Sequence, residues 1–480
     1  SDQDITLDLE ATFADANGNA APEGMLTLAQ TTVTVPANGT ADVQVTVDPA
    51  HGESGQRYQG HLTASANGEA LVHTTMATIK EDERYTLTLN ATDRDGSPAL
   101  AYVVMFNENM QPESIAVPGT RELRLKKGTY SVMSMMDVNV NTDDQGVALV
   151  GEPEVVLDGP KTVELDARKA NEITVKVPKK TEPMYQRMEY YQTMGTGTVH
   201  SVYLIPVWVD KLYAAPTKKT ELGEFEFLTR WRLIKPYLTM NYKGKELDDI
   251  VMPGSTLLEG KHNLKAIYAG EGSQADYDRL NAKGKAVVVD RSKTISESEQ
   301  AAAAVAAGAK LLIIANYEDV EFNAYVGEVP LTAAAISKSE GDKLIKAVRS
   351  GNVKLQVEGT KDSPYAYDLD YVHQDNVPKK LAYEPKNRDL AVIETNYNSH
   401  VETDGGEFRF DMRPYTRRAI GFQYKISFPT TRTEYVSATK DTYWYHQATV
   451  LDETWQIRQP RVVYEKGQKL VENWFSPVVR

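Results

Sequence analysis

Cysteine is absent from the 480-residue chain, which removes disulfides, zinc–thiolate sites, iron–sulfur clusters and thiol nucleophiles together. Positive charge is scarce as well: 53 Lys and Arg stand against 67 Asp and Glu, giving a formal net charge of −14 with no dense basic cluster. That balance argues against nucleic acid or an anionic membrane as the main partner, since both need a positive surface. Long apolar runs are missing. The longest, 301–315, is interrupted by Gly308 and Lys310 and is too short to cross a bilayer as one helix. The start also lacks the basic and apolar regions of a signal peptide, because Ser1-Asp2-Gln3-Asp4 runs directly into the alternation Ile5, Leu7, Leu9. A chain that opens inside a strand without an initiator Met is expected to be a processed or excised piece of something longer. What is present, 41% hydrophobic and 25% charged residues, is an ordinary folded composition with room for three or four domains.

From residue 1 to about 178 apolar residues recur at every second position, as in Val43/Val45/Val47, Leu87/Leu89, Leu123/Leu125 and Val163/Leu165. Such alternation buries one face of a strand and wets the other. Turn signals punctuate it at Asn17-Gly18, Asn38-Gly39, Asn67-Gly68, Asp95-Gly96 and Asp158-Gly159-Pro160. Residues 259–360 read differently. Ala286-Val287-Val288-Val289-Asp290 is a run suited to a strand buried on both faces, and Ser296 with Glu299 forms a capping box ahead of an alanine-rich helix ended by Gly308. Leu311-Leu312-Ile313-Ile314 then supplies a second buried strand, so the segment predicts a βαβ unit. A second helix is expected from Ser337 to Gly351. All five tryptophans fall outside this module, at Trp208, Trp231, Trp444, Trp455 and Trp474.

The sequence therefore predicts a multidomain, mainly β chain. Two N-terminal antiparallel β-sandwiches, 1–82 and 83–180, precede an aromatic-rich β-sandwich or jelly-roll-like domain in two segments, 184–258 and 376–480, interrupted by the α/β module 259–360. Two separate β-domains flanking the module are the alternative.

Catalytic signatures are missing. None of the eight histidines belongs to an HExxH-like pair, no GxSxG elbow occurs, and Gly284-Lys285 is followed by Ala286 where a phosphate loop needs Ser or Thr. No catalytic residue, resident metal or cofactor is expected. Two oxygen-rich clusters are candidates for calcium: Asp93 with Asp95, and Asp137, Asn139, Asn141 and Asp143. Acidic hairpin turns give the same pattern without a metal. Trp444, between Tyr443 and Tyr445, is a candidate for stacking on a sugar or gripping a peptide, with a core role as the alternative.

In order along the chain, Gly284-Lys285-Ala286-Val287-Val288-Val289-Asp290-Arg291, then Ala306-Ala307-Gly308-Ala309-Lys310-Leu311-Leu312-Ile313-Ile314-Ala315-Asn316, then Val329-Pro330 and Ala335-Ile336-Ser337-Lys338-Ser339-Glu340-Gly341 resemble a protease-associated domain. The flanking strand-rich sequence, including Arg432-Thr433-Glu434-Tyr435-Val436-Ser437, is similar to the C-terminal region of secreted multidomain subtilisin-like serine proteases, in which fibronectin-like and transthyretin-like sandwiches follow the catalytic domain. The resemblance implies a secreted, extracellular or cell-wall-associated chain, with peptidase activity on a separate preceding part of the precursor. It also implies a non-catalytic role in substrate docking, protein–protein contact or control of access. The partners it implies are protein or peptide substrates and a separately processed subtilisin-like catalytic chain, with no nucleic acid and no transmembrane segment. Within the module, the irregular loop 317–330, carrying Glu318, Asp319, Glu321, Phe322 and Tyr325, is the expected binding surface, because loops held by a rigid scaffold concentrate contact residues; an ordinary solvated acidic loop is the alternative. Two other functions remain open: an extracellular adhesin or carbohydrate-binding protein using the aromatic domain, and an aminopeptidase bearing a protease-associated insert.

Overall fold

Alternation at every second position drives most of the chain into sheets: 53% of residues are in strands and 8% in helices. The computed structural model describes residues 1–480 except 143, 207, 208, 210, 321, 422, 451–454 and 477–480. Trp208, Asp143 and Glu321 therefore lie outside the described residues. The chain divides into two compact units: Ser1–Thr88 with Glu122–Thr129 and Val156–Thr162, and Leu89–Arg121 with Tyr130–Val155 and Val163–Arg480.

In the first unit, Ile5–Asp15 pairs antiparallel with Thr32–Val35 on one side and Arg57–Ala66 on the other, and Glu69–Ile79 completes a four-stranded sheet. The hairpin between the last two strands turns on Asn67 and Gly68, both at positive φ, as the tight primed turns of hairpins require. A two-stranded ladder, Leu26–Leu28 with Val45–Val47, accompanies it. Phe13, Met25 and Tyr58 form its small core.

The second unit holds a six-stranded sheet in the order Asn171–Glu172, Lys211–Ala214, Gly146–Leu157, Gly128–Val138, Leu100–Asn107, Met110–Pro118. It also holds a seven-stranded sheet in which Phe225–Ile234 pairs antiparallel with Tyr365–Gln374. Between those two paired strands the chain leaves to build the α/β module and returns, so the β-domain is interrupted as its sequence predicts. The module's sheet has eight strands. Gly260–Tyr268, Ala286–Asp290, Leu311–Ala315 and Thr332–Ile336 run parallel at its centre, and Lys354–Gly359 joins antiparallel beside the first. Residues 238–258, assigned from sequence to the β-domain, contribute the short strands Leu238–Tyr242, Lys245–Glu246 and Ile250–Val251 to this sheet.

The helices start where their caps place them. Ser296 and Glu299 form the expected reciprocal capping box on Glu297–Ala306, and the Ser337 hydroxyl caps Lys338–Ser350. The central strands are buried on both faces: Val288, Leu311 and Ile313 enter one core, and Val287, Leu312 and Ile314 the other.

Candidate functional site

The loop expected to carry function leaves the carboxyl end of Leu311–Ala315, the edge of a parallel sheet where ligands usually gather. Its entry is pinned by side chains. Asn316 donates from Nδ2 to the Val320 carbonyl at 2.7 Å and accepts on Oδ1 from the Tyr317 N–H at 2.9 Å and from Arg291 at 3.2 Å. Arg291 in turn lies 3.9 Å above the Phe322 ring and 5.0 Å from that of Tyr317, while its Nε donates to Glu297 at 2.7 Å. Phe322 is thus a buried anchor, only 8% exposed. Glu318 and Asp319 are exposed, and the Glu318 carbonyl accepts from the Lys338 N–H at 2.9 Å. Tyr325 is 57% exposed; its hydroxyl donates to Glu328 at 3.0 Å and its carbonyl accepts from Ser298 at 3.1 Å. The loop therefore presents Tyr317, Glu318, Asp319 and Tyr325 on a base fixed by Arg291 and Asn316. Those two fixing residues stand in the sequence at the ends of the two buried strands.

Among the described residues, the calcium candidates are engaged in hydrogen bonds of their own turns and neighbours. Asp93 and Asn139 do meet, but through Asp93 accepting the Asn139 backbone N–H at 3.2 and 3.3 Å. Asp95 accepts from the Ser97 N–H at 2.7 Å inside its own turn, and the Ser97 side chain and then this N–H hold its carboxyl below the usual range. Asp137 receives the Tyr203 hydroxyl at 2.7 Å, and Asn139 and Asn141 adopt positive φ as turn residues do. Trp444 is fully buried. Its indole N–H donates to the Ser437 carbonyl at 3.1 Å and Arg230 sits 4.9 Å over the ring, so no face remains for a sugar or peptide. The exposed aromatics of that region are Tyr443 and Trp455.

Sequence reasoning missed what lies beneath. The seven-stranded sheet meets the four-stranded sheet that contains Thr403–Met412 and Tyr443–Val450 across a layer of charge. Arg232 binds Asp368 at 3.2 Å and Glu407 at 2.6 Å; Arg432 binds Glu407 at 2.7 Å and also Glu434; Arg409 binds Glu434. Arg230 joins Asp368 and, at 3.0 Å, Asp411, which Arg187 also holds; Arg413 grips Glu226 through two bonds of 2.7 Å. His446 completes the layer, its Nε2 3.1 Å from Glu407 and its Nδ1 3.3 Å from Glu472. Arg187, Arg230, Arg232, Arg409, Arg413 and Arg432 face Glu189, Glu226, Asp368, Glu407, Asp411, Glu434 and Glu472, with His446 among them, 3.0 Å from Arg409. Burial opposes every one of these charges, but the neighbouring guanidiniums win: Glu407, Glu434 and Asp411 are held below the ordinary carboxylate range, and Glu472 at about 2. His446 is raised despite burial and Arg409, because Glu434, Glu407 and Glu472 surround it.

Glu407, Glu434 and His446 are close enough together for their atoms to hold a cation. Their oxygens are already engaged by three guanidiniums, whose charge would repel a metal ion, so the donor set fits an ion-pair centre better than a metal centre.

Residues 251–344 match the PA domain family. No curated protein matches the chain in sequence. Among solved structures, an aminopeptidase from Aneurinibacillus sp. strain AM-1 is 22% identical over 31% of this chain and 35% of its own, with a TM-score of 0.25. A zinc aminopeptidase from Bacillus subtilis is 22% identical over 35% of this chain and 40% of its own, TM-score 0.23. A psychrophilic subtilisin-like protease from Pseudoalteromonas sp. AS-11 is 14% identical over 34% and 46%, TM-score 0.20. The chain thus spans less than half the length of each. Within this mainly β chain, residues 251–344 form a protease-associated domain.

Proposed function

We propose that the chain is a non-catalytic accessory region of a secreted subtilisin-like serine endopeptidase, with the peptidase triad on a separate part of the same precursor. Its role is substrate docking, contact with a partner protein or control of access. The observation that carries this reading is the protease-associated domain at 251–344, set within β-domains and bearing a loop fixed at its base and exposed at Tyr317, Glu318, Asp319 and Tyr325. Residues 1–82 and 83–180, as fibronectin-like and transthyretin-like sandwiches, would space this domain from the catalytic chain. In this reading Glu318, Asp319, Glu321 and Tyr325 contact substrate or partner, and Phe322 anchors them.

The test is an assay of the purified chain on casein, together with capture of companion polypeptides from culture medium. No hydrolysis, and recovery of a serine-reagent-labelled catalytic chain that is reduced by Tyr325→Ala with Glu318→Ala, is the expected result. Casein hydrolysis by the chain alone that a serine reagent abolishes would overturn the reading.

A further inference from the structure

The outer face of the first unit's sheet brings two histidines together. Strands Arg57–Ala66 and Glu69–Ile79 pair antiparallel, with His61 opposite Thr75 and His73 opposite Thr63. Residues opposite each other share a face and side chains alternate along a strand, so His61 and His73 stand on one side as diagonal neighbours. Tyr58, which points into the small core, lies on the other face. Both histidines are exposed, and their ring centroids lie 6.1 Å apart with 76° between planes.

Four other histidines have partners of their own: His51 faces Asp48, His200 faces Glu189, His262 bonds the Glu259 carbonyl and His446 lies among carboxylates. His61 and His73, by contrast, make no hydrogen bond or ion pair among the described residues. Imidazole nitrogen is an ordinary ligand of zinc, nickel and copper ions. Zinc bound to two such nitrogens at about 2.0–2.1 Å sets the ring centroids roughly 4.5–6.4 Å apart, according to the angle at the metal. The observed separation falls within that span, and exposed side chains need only turn to aim both nitrogens at one point. Glu10 stands on the same face, opposite Thr63 on its other side, and adds a negative charge there.

We infer that His61 and His73 form a binding site for a divalent transition-metal ion, each supplying one ring nitrogen while water fills the other positions. Only the folded hairpin brings the rings together, so bound metal clips its two strands and stabilises a unit whose core is small. No sequence motif marks the pair, because hairpin register and the bulge between Ala64 and Ser65 decide which residues meet. Neither histidine lies in 251–344, so the assignment stands apart from the role proposed for the protease-associated domain.

The test is calorimetric titration of the full chain with nickel chloride and zinc chloride, with magnesium chloride as the comparison because magnesium prefers oxygen ligands. Saturable one-to-one binding of nickel and zinc is expected, undisturbed by equimolar magnesium. Removing even an outer partner of a metal ligand costs about 10–100-fold, so His61→Ala and His73→Ala are each expected to weaken binding by about tenfold or more. His400→Ala, at an exposed histidine elsewhere, is expected to leave it unchanged. Circular dichroism confirms that the variants, altered only at exposed positions, keep their fold. Absence of saturable binding would overturn the assignment, as would a loss confined to one of the two paired variants, which would leave a lone histidine. An equal loss in His400→Ala would give the binding to scattered histidines, and displacement by equimolar magnesium would give it to carboxylates; either result also overturns it.

Discussion

Glu407 accepts from Arg232 at 2.6 Å, from Arg432 at 2.7 Å and from His446 at 3.1 Å. Glu407→Gln preserves its shape but takes one of two carboxylate partners from each of the buried Arg232 and Arg432. Breaking a buried pair from one side costs roughly 3–5 kcal/mol, so the variant is expected to lose that much in urea unfolding; a loss below about 1 kcal/mol, the range of exposed pairs, would show that water reaches the layer. The residues involved were visible in the sequence as alternations: Arg230/Arg232, Asp368/Asp370, Glu407/Arg409/Asp411/Arg413 and Arg432/Glu434. A period of two says which residues share a face of a strand, not whether that face is wet, and charge at alternate positions ordinarily marks the wet one. The same ambiguity governs Tyr443-Trp444-Tyr445, where Trp444 points inward and Tyr443 outward. Pairing between neighbouring strands and across the two sheets supplies the cations that let the acidic face be buried, and no local pattern encodes that pairing.

At the scale of elements, the α/β module was legible because each boundary carries its own chemistry. Ser296 with Glu299 and Ser337 with Glu340 start the helices, and Gly308 at φ +72° follows the first. The strand Thr332–Ile336 was not, since Thr-Ala-Ala-Ala-Ile favours helix by propensity; pairing with Leu311–Ala315 and complete burial override that preference. The small residues of this layer also set how closely the second helix approaches. A Cβ at Gly341 would lie 2.3 Å from the Ala315 Cβ. Alanine gains about 1 kcal/mol of helix propensity over glycine, but overpacking costs about 1–3 kcal/mol, and at this distance backbone must shift. Gly341→Ala is therefore expected to lower the thermal midpoint, measured by circular dichroism; a raised midpoint would mean the helix slides outward freely.

For the whole molecule, the buried charges set how stability follows pH. In the unfolded chain carboxylates titrate near ~4 and histidine near ~6.5. Glu407, Glu434, Asp411 and Glu472 are depressed in the folded state, so their stabilisation is present above ~4 and is lost as pH falls through the folded values, at about 2 for Glu472. His446 is raised, so its contribution is complete below ~6.5 and is lost as pH rises through its folded value. Glu182 tilts the same way, because burial pushes it to about 7 and folding must then pay for its ionisation as pH climbs from ~4. These slopes place the stability maximum on the acid side of neutrality, near pH 5. Urea unfolding at stepped pH is expected to show a fall on both sides, with the alkaline fall shallower in Glu182→Gln and in His446→Gln and the acid limb still present in both. The layer is buried, so raising salt should move these limbs little, in contrast to exposed pairs such as Lys180 with Glu246. An alkaline fall of unchanged steepness in both variants would sever the link between these two groups and the pH response, and would leave that limb to the other carboxyls that burial raises, Asp249 and Asp370, and to the exposed titrating groups.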